Sequence, residues 1–188
     1  MLGCVPEKLL CFGCDDELSG GTEYRQAGQA LRQQITEAGA QAAPSAEGEN
    51  WLELDSLVQA ELTSEDPAHP IESAPVPGCG SGWWAQQPGK QTICLLFDQP
   101  HSISRIPVEF QEHERQRTQE FVLRWSPDGG ASWREIVRQQ YNFSPPGNTR
   151  ELEDYFVDLE AMTMLELQIN PDISGGGVHA SLEQLRLA

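Results

Sequence analysis

Trp83 and Trp84 stand side by side directly after a glycine-rich run, Gly78-Cys79-Gly80-Ser81-Gly82. Adjacent side chains on an extended strand point to opposite faces, so one indole is placed to anchor a core and its neighbour to meet solvent. An exposed indole beside a glycine loop is a stacking platform for the apolar face of a pyranose ring. The competing reading has both rings partly buried under the loop. Further along, Arg117, Arg138, Tyr141 and Asn142 are the side-chain types that hydrogen-bond sugar hydroxyls or carboxylates in fixed geometry. The same arginines can equally form solvated ion pairs across a sheet with Glu109, Glu120 or Glu135.

Other clusters carry less chemistry. The glycine run has a superficial likeness to a nucleotide loop, but Trp83 replaces the third glycine and no Walker lysine follows. Cys4, Cys11 and Cys14 provide three thiols, whereas a structural zinc site takes four ligands and the first histidine is His69. Free thiols are therefore expected there. The sequence has no Gly-x-Ser-x-Gly elbow and no His-Glu-x-x-His pair. His69, His101, His113 and His179 are scattered over expected loops, and a non-catalytic protein is the expectation.

Composition narrows the partners. The 29 acidic and 12 basic residues give a net charge of −17 over 188 residues. Such a surface repels phosphate backbones and anionic lipid, so neither nucleic acid nor a membrane is an expected partner. No apolar run reaches the ~18 residues of a membrane span. The start of the chain lacks the cleavage pattern of a signal peptide. With five cysteines, an odd number, reduced thiols in the cytoplasm are the expectation.

The elements that must position these residues change in kind near residue 50. In residues 1–50 one amphipathic helix is expected over 23–38, with Tyr24, Ala27, Leu31, Ile35 and Ala38 on one face, and then a linker over 40–50. From Trp51 onward short strands alternate with turns, so residues 51–188 read as one all-β domain. Strands are expected at 52–62, 92–97, 103–110, 121–125, 135–143, 155–159, 165–169 and 181–187, and one helical turn over 71–74. Pro107 is expected at an edge or a bulge. Phe121, Leu123 and Trp125 alternate with other residues, then Ser126-Pro127-Asp128-Gly129-Gly130 supplies the chemistry of a tight reversal.

This Ser-x-Asp-Gly-Gly turn with Trp133 shortly after it resembles the central hairpin of discoidin-type (coagulation factor type C) domains. Ala60-x-x-x-Ser64, Gly82-Trp83-Trp84-Ala85, the strand closing in Phe97-Asp98-x-Pro100, and Ala180-Ser181-Leu182-Glu183 come in matching order, so the resemblance spans roughly residues 51–188. It implies an antiparallel β-sandwich jelly roll of the galactose-binding-like kind, with a buried core tryptophan. It also implies a ligand site at the loop rim, here Trp84, Arg117, Arg138, Tyr141 and Asn142. Sugar-binding relatives of this type carry a structural calcium, which would draw on Asp66 and Glu183, although Glu72-Ser73-Ala74 stands where the family has Asp-Gly. The resemblance makes carbohydrate the expected ligand. A protein partner docked on the same scaffold is the alternative.

Overall fold

The computed structural model describes residues 50–76 and 82–188. The expected helix over 23–38, the linker up to residue 49, and Cys4, Cys11, Cys14 and Cys79 lie outside these residues.

The described chain begins with a four-residue helical turn, α1 (Leu54–Leu57), and continues as β1 (Val58–Leu62), a 3₁₀ turn (Ile71–Ser73), β2 (Trp83–Pro88), β3 (Gln91–Gln111), β4 (Arg117–Ser126), β5 (Arg134–Phe143), β6 (Arg150–Asn170), β7 (His179–Leu182) and β8 (Gln184–Leu185). All pairings are antiparallel. One sheet runs β1-β3-β6-β4-β5 with β8 on β3, and β2 pairs with β7 in a separate ribbon. Among the described residues no helix is long and apolar enough to cross a membrane.

Two strands of 21 residues, β3 and β6, make the sandwich. The first half of β3 pairs with β1 and with the second half of β6, which also carries β4. The second half of β3 pairs with the first half of β6 and with β8. Between the halves the register shifts three times from Leu96 to Arg105, and Ala161 takes φ 56°. The two halves therefore face each other: the Phe110 and Phe121 rings lie 4.9 Å apart between them, and Gln139 on β5 reaches Glu153 on β6 at 2.6 Å. Trp83, Phe110, Phe121, Phe143, Leu165 and Ile169 are among the fully buried side chains that fill the space.

Several sequence expectations change in detail. The strands expected at 92–97 and 103–110 are one strand, as are those at 155–159 and 165–169. Asp98-Gln99-Pro100 breaks the apolar alternation and reads as a loop, but the backbone stays extended through the bend. The region 52–62 divides into α1 and β1, and 181–187 into β7 and β8. β2 was not among the expected strands, since only Trp83 and Ala85 of its six residues turn inward. Pro107 lies neither at an edge nor in a bulge. It stands in register with Asp154, and its carbonyl accepts from Arg186 N on the side of the short β8, so its missing N–H faces a strand of only two residues.

The hairpin forms as the turn residues require. Gly129 and Gly130 adopt φ 65° and 88°. Ser126 Oγ accepts from Asp128 N and Gly130 N, and Asp128 accepts from Ser132 N and Ser132 Oγ at 2.8 and 2.6 Å. The Ser132 donors hold the Asp128 carboxyl down at about 2. A Cβ at Gly130 would lie 3.2 Å from Met164 Sδ, whereas one at Gly129 would meet open space. Gly130→Ala is expected to lower stability by about 2 kcal/mol and Gly129→Ala by about 1 kcal/mol, read from denaturant unfolding. Equal costs would remove any part for Met164.

One seam between the sheets is polar. Glu151 is buried with Oε2 unpartnered among the described residues, and Gln119 is fully buried with neither amide atom partnered there. Gln139 Nε2 donates to Glu151 and Glu153, and Gln139 Oε1 accepts from Tyr155. Burial, with the Glu153 charge adding to it, pushes the Glu151 carboxyl up from 4.5 to about 7. Between those values the folded chain holds a proton that the unfolded chain has released. The Glu151 contribution to stability is therefore expected to fall as pH rises from 4.5 to 7, by on the order of 3 kcal/mol, and to be level on either side of that window. Glu151→Gln should flatten this part of the profile and leave the variant more stable than the parent at pH 8. Parallel unfolding profiles for the two proteins would refute it.

Candidate functional site

Trp84 is positioned by its backbone before its side chain does anything. Asp66 N donates to Trp84 O at 2.9 Å, and Trp84 N donates to His69 O at 3.1 Å, so the loop after β1 holds both polar groups of this residue. The loop is itself fixed. Thr63 and Ser64 hydroxyls donate to the buried Gln91 amide oxygen, and Ile71 N donates to Glu65 at 2.8 Å. His69 then stacks on the Trp84 indole at 4.9 Å with 25° between the planes. One face of the ring is covered by imidazole, and the side chain remains 46% exposed while Trp83 is fully buried.

Around Trp84 opens a cleft of about 880 Å³. Its floor is the outer face of the β2–β7 ribbon. Trp84 pairs with Ser181, the strand period puts His179 and Ser181 on one face, and Glu183, in the bend that follows β7, lines the same cleft. His179 Nδ1 donates to Ala85 O at 2.9 Å. Asp66 and His69 form one wall, and the turn from Gln111 to Arg117 forms the other. That turn closes on Glu112, whose Oε1 accepts from Glu114 N and Arg115 N.

The five expected ligand residues do not converge. Trp84 and Arg117 both line the cleft, whereas Arg138, Tyr141 and Asn142 lie outside it. The Arg117 side chain is only 2% exposed. Its Nε lies 2.7 Å from Glu112, its Nη1 donates to Pro171 O, and its guanidinium lies over Phe143. Burial pulls its pKa down against the opposing pull of Glu112, so this arginine supports the wall. Arg138 pairs with Glu120 and Glu135 on the open sheet face, the cross-strand alternative. Tyr141 donates to Arg150 O, and Asn142 accepts from Thr118.

Asp66 and Glu183 both line the cleft, but they do not form a calcium site. Calcium takes six to eight oxygens. Both Asp66 oxygens are occupied, by Ala68 N and by His69 Nδ1, and these hydrogen bonds lower its pKa. Glu65 is spent on Ile71 N. Among the described residues no three His, Cys, Asp or Glu side chains are gathered to hold a metal.

The sequence reading missed His69, Gln111, Glu114, Arg115, His179 and Ser181 as cleft residues. The alternation His179, Ser181, Glu183 was a usable signal, a polar face on the closing strand. His69 gave none, because a loop brings it to Trp84.

No family model matches the sequence, and no curated protein matches it either. Solved structures match in fold. CpGH89CBM32-5 from Clostridium perfringens, in complex with GalNAc-β-1,3-galactose, superposes with a TM-score of 0.50 at 21% identity, over 69% of this chain and 94% of that one. The CBM32 of AlyQ, in complex with 4,5-unsaturated mannuronic acid, gives 0.51 at 17% identity, over 70% and 95%. Chitosan-binding module 1 from a chitosanase/glucanase of Paenibacillus sp. IK-5 gives 0.51 at 13% identity, over 72% and 97%. The chain has the galactose-binding-like jelly-roll fold of these carbohydrate-binding modules, which discoidin domains share.

Proposed function

We propose that this protein is a non-catalytic carbohydrate-binding module that seats a sugar ring on Trp84. The observation that carries this is a half-exposed indole held by its own backbone and by His69 at the floor of a concave cleft. A platform fixed before binding loses little side-chain entropy when a ligand arrives. The pyranose packs its C–H face on the open side of the ring, and cleft groups such as Gln86, Ser181 and His179 supply hydrogen bonds to its hydroxyls. That neighbours of the same fold are sugar-binding modules supports this choice of ligand.

Burying about 60 Å² of indole at about 25 cal/mol/Å² is worth about 1.5 kcal/mol, or tenfold in affinity. Trp84→Ala is therefore expected to weaken glycan binding about tenfold, measured by calorimetry on ligands found by array screening, with an unchanged unfolding midpoint. Unaltered affinity in the variant would remove Trp84 as the platform. A protein silent toward every glycan at millimolar concentration, yet pulling down one partner from lysate, would instead belong with docking modules.

A further inference from the structure

Resting on the sugar-binding reading, we infer that the Trp84 cleft selects sugars bearing a protonated amine and rejects those bearing a carboxylate. Four carboxylates line it, Asp66, Glu112, Glu114 and Glu183, against two guanidiniums, Arg115 and Arg117, which leaves 4 − 2 = 2 negative charges with histidines counted as neutral. The pairing of these groups decides what a ligand meets. Asp66 is occupied by Ala68 N and His69, and Glu112 by two backbone N–H groups and Arg117. Arg117 is buried and spent on Glu112 and Pro171 O.

Three charged groups remain to face a ligand: Glu114, Glu183 and Arg115. Neither Glu114 nor Glu183 accepts a side-chain hydrogen bond among the described residues. Glu183 lies in the bend just after β7 and lines the cleft with Trp84, and its Oε2 reaches to 3.2 Å from where a Gly82 Cβ would stand. A sugar stacked on the indole thus has a carboxylate beside it on the floor. Arg115 and Glu114, both exposed, stand on the opposite wall and offset each other. Two charges in the lining are left without a partner cation there. One is Asp66, which is hydrogen-bonded but not neutralised. The other is the floor carboxylate Glu183, whose charge reaches only Arg150 outside the cleft, itself held by Glu109. The chain's net charge of −17 adds the same sign at longer range.

The test compares sugars that differ in one substituent. Galactose, galactosamine and galacturonate, together with glucose, glucosamine and glucuronate, are titrated into the full chain at pH 7 and monitored by NMR shifts of the tryptophan indole N–H. In 20 mM salt, each amino sugar is expected to bind at least fivefold more tightly than its uronic counterpart, with the neutral sugar between. In 500 mM salt the spread should shrink to within twofold, because exposed charges are screened. Glu183→Gln should narrow the low-salt spread between amino and uronic sugars, each affinity being taken relative to the neutral sugar in the same variant. Neutral sugars that bind while charge makes no difference would overturn the inference and leave the sugar-binding reading intact. A uronic sugar binding most tightly, through Arg115, would overturn it as well. No response to any of the six would overturn the inference, while the sugar-binding reading stands or falls on the wider glycan screen.

Discussion

A pair of strands 21 residues long cannot run straight inside a domain of this size, and the rest of the structure depends on how β3 and β6 bend together. Bending in step keeps the ladder hydrogen bonds on both sides of the corner, at the cost of shifted register and a positive φ at Ala161. It also lays one half of the pair over the other, so that Phe110 from one layer meets Phe121 from the next. The end of β3 then has a fixed place, and the site is built from there. Glu109 O accepts from Glu183 N, which anchors the ribbon strand to β3, and the chain leaves Gln111 into the turn that walls the cleft.

Within that frame the two tryptophans divide their tasks by strand geometry alone. Gly82 takes φ 51°, and a Cβ there would fall 2.5 Å from Leu182 O, so only glycine lets β2 approach β7 this closely. The approach sets Trp83 against Leu182 inside and Trp84 against Ser181 outside. A slip of one residue would exchange them, placing the platform in the core and the anchor in water. The loop carrying Asp66 and His69 guards against that slip by bonding Trp84 on its other side.

Much of this was legible in the residues. Pro127, Asp128 and the two glycines specify a reversal through φ preferences and local hydrogen bonds, which act over a few residues and leave a local mark. Phe121-Leu123-Trp125 and Leu165-Leu167-Ile169 declare their buried face by alternation, and all six are buried. The opposite indoles of Trp83 and Trp84 arise from the same period. What could not be read is whatever depends on distant partners. Arg117 looks like a ligand group until Glu112 and Pro171 O, the latter 54 residues away, are brought to it. The continuity of β3 through Asp98-Gln99-Pro100 rests on pairing with β6 on either side of the bend, which no local pattern encodes.

The first half of β6 shows the period at work against side-chain preference. Over Glu151 to Phe156 the apolar Leu152 and Phe156 point outward, 52% and 66% exposed, while Glu151 is buried and Glu153 turns inward with it. Taken alone this segment would sit the other way up. The rest of the strand's first half holds it in place: Tyr155, Val157 and Leu159 continue the inward face, and Tyr155 and Val157 pack against the core that includes Leu159. Turning the segment over would move those three to solvent in exchange for two apolar residues. Instead the inward glutamates are met by Gln139 from β5, whose amide donates to both. Glu151 then avoids most of the penalty of a buried charge by keeping its proton up to about pH 7. The polar seam is thus a consequence of strand continuity, and proton retention is what makes it tolerable.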